Sequence, residues 1–231
     1  MNELDLTILM PCLNEEENIA SSISSAQSYL SSIRDRWNHT GEILIVDNNS
    51  TDRSAAIASE CGARVIKEDR RGYGNALIAG LKDAKGSVII YGDCDSTYDF
   101  RNLDSVYLPL INAEADFITG NRFAGLMEPG SMSLSHRLGV PFLSWCGRIK
   151  SGVQIHDWHC GLRGIRKDAL KSIHLTSAGM EFASEIIVEA ARHKLRILEV
   201  SVALRKAENT RNEKLRTVRD GLRHLWYIIK A

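Results

Sequence analysis

The 231-residue chain has no apolar run of about 18 residues, so no segment is predicted to span a membrane as a helix. It has no Cys-x-x-Cys pair. Its five cysteines, Cys12, Cys61, Cys94, Cys146 and Cys160, are odd in number and widely spaced. That pattern argues against a disulfide framework and for reduced thiols, hence a cytoplasmic protein. No Gly-x-Gly-x-x-Gly follows the first strand-like run, and no Gly-x4-Gly-Lys-Ser/Thr occurs, which weighs against dinucleotide and P-loop sites. Excess charge is absent as well, with Lys+Arg 29 against Asp+Glu 29. The basic residues lack interleaved aromatics and no helix–turn–helix or finger spacing is present, so no nucleic-acid partner is expected. The acidic start, MNELDLTILM, leads straight into a strand-like run and does not read as a signal peptide.

What is present suits one globular domain with a sizeable core, at 44% hydrophobic and 25% charged residues. The charge is unevenly spread. Residues 1–120 hold 10 Lys+Arg and 19 Asp+Glu, and residues 121–231 hold 19 and 10. An acidic metal site facing a basic anion or membrane surface would give this pattern, and so would two halves of one monomer attracting each other.

The central stretch is Val88-Ile89-Ile90-Tyr91-Gly92-Asp93-Cys94-Asp95. Its β-branched start reads as a strand buried on both faces, and its end carries two carboxylates one residue apart. Open α/β sheets bind ligands beyond the carboxyl ends of their strands. Two carboxylates gathered there call for a cation. Upstream, Leu4–Met10 and Glu42–Val46 read as strands that end in Pro11 and Asp47, and Ala63–Ile66 as a third. Helices between them give β-α-β-α-β-α-β, hence a parallel sheet with right-handed crossovers. Glu15–Glu17 read as first-turn acids of the first helix. Gly72-Tyr73-Gly74 reads as a turn or as a phosphate-side loop.

Downstream, Phe117–Phe123 is a further strand and its exit, and 124–135 is a Gly-, Pro-, Ser- and Met-rich loop. Leu138–Cys146 is expected to be a core helix, with a lipid-facing or acceptor-lining helix as the alternative. His156, His159 and Cys160 fit no closed zinc set. Glu181, Glu185 and Glu189 fall on one helix face and are expected at the surface. From Leu215 to Ile229 an apolar stripe flanked by Arg216, Arg219, Arg223 and Lys230 makes a basic amphipathic helix, suited to an anionic membrane, to its own domain or to a partner subunit.

Taken together, Pro11–Glu16, Val46–Asp52, Gly72–Ala76, Gly92–Asp95, Gly120–Phe123, Asp157–Arg163, Met180–Glu185, Glu199–Val202, Lys214-Leu215 and Asp220-Gly221 resemble the inverting family 2 glycosyltransferases of GT-A fold. Within them the chain looks like the branch of dolichyl-phosphate mannosyltransferase and bacterial polyprenyl-phosphate glycosyltransferases. It departs from that branch at Tyr73, where a lysine is common, and at Ser201, where a proline is common. Many bacterial members carry C-terminal transmembrane helices that this sequence does not contain.

The resemblance implies an α/β GT-A fold, a mainly parallel sheet flanked by helices. Residues 1–204 would be the catalytic domain, with 1–122 binding the nucleotide sugar and 123–204 facing the acceptor. Residues 205–231 would be a basic loop and amphipathic helix. It implies a nucleoside-diphosphate sugar, uridine- or guanosine-linked, held by Pro11, Asn14, Glu15, Asp47, Asn49, Asp93, Asp95 and Arg122. Asp95, with Asp93, would bind Mg²⁺ or Mn²⁺ bridging the diphosphate. An isoprenoid phosphate acceptor would meet Arg163, Arg205, Arg211 and Lys214, and Asp95, Asp157 and Arg163 would serve the chemistry. For a hydroxyl acceptor, Asp157 would be the first candidate base and His159 the second. Peripheral contact with the cytoplasmic face of a membrane, or a membrane partner protein, is expected. Competing readings are transfer to a saccharide or small-molecule hydroxyl, a nucleotidyltransferase, and a non-catalytic nucleotide-sugar-binding or regulatory subunit.

Overall fold

The computed structural model describes residues 4–206, 221 and 223–227. Its centre is a seven-stranded sheet in the order β3-β2-β1-β4-β6-β5-β7. The strands are β1 (Leu4–Cys12), β2 (Gly41–Asp47), β3 (Arg64–Lys67), β4 (Gly86–Tyr91), β5 (Phe117–Asn121), β6 (Arg163–Arg166) and β7 (Ile197–Ser201). The helices are α1 (Ile19–Trp37), α2 (Ser54–Glu60), α3 (Tyr73–Asp83), α4 (Asp104–Ile111), α5 (Leu134–Ser151), α6 (Lys167–Leu170) and α7 (Phe182–Arg192).

The central strands read as unbroken apolar runs because both faces of the sheet are covered. Ile8, Met10, Ile43, Ile45, Val88 and Ile90 enter one core layer, beneath α1 and α4. Leu9, Leu44, Val46, Ile89 and Tyr91 enter the other, beneath α3 and α7. On α1 the inward positions are Ile19, Ile23, Ala26, Tyr29 and Ile33, the three-or-four spacing of one helix face. A left-handed Asn38 (φ 57°) ends that helix and donates its N–H to Arg34 O.

The parallel expectation holds for β3-β2-β1-β4 and for β5 with β7, while β6 runs antiparallel to both β4 and β5. This reversal matters for position. Arg163 opens β6 opposite Tyr91, the last residue of β4. The residues just before Arg163 therefore lie past the end of β4, next to Asp93 and Asp95. The ends of β5 and β7 reach the same edge. One sheet thus joins the 1–122 and 123–204 halves.

Three local expectations are corrected. Glu15–Glu17 precede α1, whose first turn has no acidic residue. The face of α7 that carries Glu185 and Glu189 is buried, at 2% and 8% exposure. Glu185 accepts from Thr176 N, Thr176 Oγ1 and Ser177 N at 2.8–2.9 Å, so it anchors the segment before α7. Finally, α5 is not a core helix. It turns Val140, Ser144 and Gly147 inward and leaves Leu134, Leu138, Phe142, Trp145 and Ile149 exposed. Among the described residues no helix is long and apolar enough to cross a membrane. The basic helix expected over 215–229 lies largely outside the described residues; 223–227 are helical.

Candidate active site

Register brings the acidic strand ends together. Cys12 pairs with Asp47, and Leu9 with Tyr91, so β1, β2 and β4 end side by side. Cross-links hold that edge: Gly92 N donates to Leu9 O at 3.2 Å, Asn48 N to Cys12 O at 2.8 Å, and Cys94 Sγ to Pro11 O at 3.2 Å. Asp47, Asp93 and Asp95 consequently share one rim with Pro11.

The loops behind the rim are laced to each other. Asn14, at φ 54°, accepts Thr51 N at 2.7 Å and Thr51 Oγ1 at 3.3 Å. Glu15 N donates to Ser54 Oγ at 2.7 Å, and its carboxylate accepts from Asn18. Asn49 donates its side-chain N–H groups to Glu68 O and Asp69 O. Asn48 bonds Glu68 O, Arg70 O and Gly72 N. Asn14 is engaged through Oδ1 and Asn49 through Nδ2. Their amides bind neighbouring loops and set the shape of the wall. Asp47 keeps its place at the rim, with Oδ1 accepting Ser50 N at 3.1 Å.

At the end of β4, Asp95 Oδ1 accepts Thr97 N at 3.1 Å and Thr97 Oγ1 at 2.6 Å. That fixes the carboxylate; Oδ2 has no partner among the described residues. Burial, and then the nearby charge of Asp95, push the Asp93 carboxyl up to about 7. A buried carboxyl whose ionised form is disfavoured beside a second carboxylate suits a hard divalent cation. Among the described residues no three His, Cys, Asp or Glu converge on one metal position. The residues fit Mg²⁺ or Mn²⁺ that takes one or two carboxylates and fills its shell with water and phosphate oxygens.

The opposite wall comes from β5 and the 157–162 loop. Arg122, just past β5, forms a two-pronged pair with Asp157, Nε to Oδ2 at 2.7 Å and Nη2 to Oδ1 at 2.8 Å. Asp157 is fully buried and also accepts Arg122 N and His159 N. Both carboxylate oxygens are thus occupied, so the geometry speaks against the expected role of Asp157 as the base for a hydroxyl acceptor. Arg163 is corrected as well. It is 1% exposed and donates to Cys160 O at 2.9 Å, Ala183 O at 2.7 Å and Trp158 O at 2.6 Å. Its guanidinium braces the loop from within through these carbonyls, and the residue lines the cavity beside Asp93. Arg205 reaches the rim beside the Asp95 turn: its N donates to Thr97 O and its Nη2 lies 2.5 Å from Asp99 Oδ2. Arg211 and Lys214 lie outside the described residues.

A cavity of about 100 Å³ opens between these walls, lined among others by Tyr73, Asp93, Tyr98, Arg122, His159 and Gly161. Two close-packed glycines, one of them in this lining, were missed in the sequence. A Cβ on Gly161 would lie 2.5 Å from Asp93 Oδ2, so the absence of a side chain there is what admits the carboxylate. Gly74 serves packing in the same way, since a Cβ would meet Ser177 O at 1.9 Å. Gly72-Tyr73-Gly74 thus lets α3 seat against the 177–179 backbone.

The description "Glycosyl transferase family 2" belongs to the family model that matches residues 7–173. The chain belongs to this family. It is 36% identical over 225 residues to a low-salt glycan biosynthesis hexosyltransferase, Agl6, of Haloferax volcanii, covering 97% of this chain and 53% of that protein. The chain therefore spans about half the length of that relative. A dolichyl-phosphate hexose transferase of the same organism is 30% identical over 87% of this chain and 83% of its own length. Glucosyl-3-phosphoglycerate synthase from Mycobacterium tuberculosis, solved with Mn²⁺, uridine-diphosphate-glucose and phosphoglyceric acid, superposes with a TM-score of 0.77 at 21% identity, covering 98% of this chain and 80% of that one. That likeness establishes the GT-A fold.

For this family 2 chain, Gly161→Ala is an expected loss of donor site without loss of fold. The added methyl displaces Asp93 rather than backbone. Affinity for a nucleoside diphosphate with Mn²⁺, measured by calorimetry, should fall by roughly tenfold or more, the effect of a small misplacement at a positioned group. The thermal midpoint should move by only a few degrees.

Proposed function

We propose that the chain transfers a hexose from a nucleoside-diphosphate sugar to a polyprenyl phosphate at a membrane surface, with inversion and with Mg²⁺ or Mn²⁺. The observation that carries the lipid acceptor is α5. Its inner face supports the acceptor-side loop: Ser144 Oγ accepts Trp158 N at 3.1 Å, and Gly147 lies under the Trp158 indole. Its outer face bares Leu134, Leu138, Phe142, Trp145 and Ile149. A helix that touches the catalytic loop on one side and offers an apolar stripe on the other suits an isoprenoid chain at a bilayer interface. The likeness to the dolichyl-phosphate hexose transferase of Haloferax volcanii supports the same acceptor.

The rim residues then divide the work. Asp47 and the Pro11–Glu15 wall receive the base, Asp93 the ribose, and Asp95 the metal at the diphosphate. The bound cation would supply Lewis-acid neutralisation of the leaving diphosphate. A phosphate oxygen of the acceptor forms the new bond to the anomeric carbon as the bond to the nucleoside diphosphate breaks. That nucleophile is already anionic near neutral pH, so the chain needs to position and desolvate it rather than deprotonate it. The buried Arg122–Asp157 pair agrees with such chemistry, because it occupies the first base candidate. Arg205, Arg211 and Lys214 are the proposed partners of the acceptor phosphate. Peripheral attachment at the cytoplasmic face, by α5 and the basic C-terminal stretch or through a membrane partner, completes the reading.

The test is donor consumption with a short isoprenyl phosphate or a sugar alcohol as acceptor. EDTA should slow turnover at least about 100-fold, with Mn²⁺ restoring it. Turnover indifferent to chelation, or a preference for the hydroxyl acceptor, contradicts the reading.

A further inference from the structure

The cavity beside Asp93 contains a side chain whose arrangement the fold alone does not account for. His159 is half-buried as a residue, but both ring nitrogens are shut off from solvent, and neither Nδ1 nor Nε2 has a hydrogen-bond partner among the described residues. Orphaned buried nitrogens are costly, and a native site normally supplies a partner. The ring is nevertheless held firmly. His159 N donates to Asp157 Oδ1 at 3.2 Å, and Arg163 clamps the carbonyls on either side, Trp158 O and Cys160 O. His224, from the C-terminal helical segment, packs edge-on against the ring at 4.2 Å between centroids. His224 is fixed in turn by Ser184, at 2.9 Å from its Nδ1. An imidazole on a braced loop, with one face of the ring set by His224 and both nitrogens unpartnered among the described residues, is prepared for a ligand.

We propose that His159 is the specificity-determining contact to the transferred sugar, hydrogen-bonding one of its hydroxyl groups, with His224 as the residue that positions it. This rests on the donor reading above. The cavity is shared with Asp93 and Arg122, whereas Asp47, on the base side, is not part of its lining. Asp93, the ribose contact of the donor reading, forms one wall of the cavity, and His159 and Arg122 stand on the opposite wall, so the group that meets His159 is the part of the nucleotide sugar beyond the ribose. A neutral imidazole offers one donor and one acceptor, which matches a hydroxyl that both donates and accepts. Burial, followed by His224, Arg122 and Arg163, holds His159 well below its ordinary pKa and so in that neutral form.

The experiment uses the full chain with Mn²⁺, uridine and guanosine diphosphates, the corresponding glucose, N-acetylglucosamine and mannose donors, and monodeoxy analogues of the sugar that is consumed. His159→Phe keeps the ring on His224 and removes both nitrogens. It should leave nucleoside-diphosphate affinity within about twofold and lower kcat/KM for the parent donor by about 5- to 150-fold. The preference for the parent over one monodeoxy donor should disappear, and His159→Gln should restore part of it. The wild-type panel stands on its own: one monodeoxy donor should lose a comparable factor. Equal losses for nucleotide and nucleotide sugar, unchanged discrimination in the variant, or a wild type indifferent to every deoxy position overturns the contact. A wild type that binds neither nucleoside diphosphate overturns the donor reading, and the contact falls with it.

Discussion

Asp95→Asn should reduce sugar transfer by about 100- to 1000-fold while leaving the thermal midpoint within about 2 °C of wild type. The two readouts separate because the proposal gives the carboxylate two roles on two oxygens. Oδ1 closes the turn to Thr97, and an asparagine carbonyl can accept both of those hydrogen bonds. What asparagine lacks is the negative charge that a divalent cation needs. Nucleoside-diphosphate binding in EDTA should therefore be unchanged, and the gain on adding Mn²⁺ should be lost. Asp95→Ala removes both roles and should cost about 1 kcal/mol of stability in addition. Were Asp95 only a turn-former, asparagine would retain full activity and full metal response.

Arg163→Met should do the reverse, with stability lost first and activity only as a consequence. The guanidinium is buried and bonds three carbonyls from the loop and from α7. Among the described residues no carboxylate is paired with it, so carbonyl dipoles hold the charge. Methionine preserves the volume but orphans three acceptors. The expected cost is about 3–5 kcal/mol, or a fall of roughly 6–20 °C in Tm for a chain of this size. A phosphate-binding arginine, as the sequence suggests, would behave oppositely, with Tm unmoved and the KM for acceptor raised. Urea denaturation beside a steady-state acceptor titration decides between the two.

These contrasts mark how far residues alone carry the argument. The acidic end of β4 is legible because a β-branched run buried on both faces must end at the sheet edge, and a second carboxylate two residues beyond the first has little structural reason to be there. The alternating β-α order is legible for the same reason. Arg163 is not, since a buried arginine bonded to carbonyls and an exposed one facing a phosphate have the same local pattern. The Arg122–Asp157 pair joins residues 35 apart across an antiparallel strand that the alternating order does not announce. On α5, Phe142 and Trp145 read as core residues, yet the small Ser144 and Gly147 make the close contact and the large side chains face outward. Asn14 and Asn49 show a second kind of ambiguity. Polar residues beside a ligand site often bind loops to one another, and only the fold distinguishes that from contact with the ligand.

The most direct test of the account is mass spectrometry of a reaction holding the protein, Mn²⁺, uridine- and guanosine-diphosphate sugars and a short polyprenyl phosphate. The account predicts a lipid phosphate heavier by one transferred sugar, formed by the wild type and nearly absent with Asp95→Asn. Donor consumed with no sugar on the lipid phosphate, or sugar found only on hydroxyl acceptors, would contradict it.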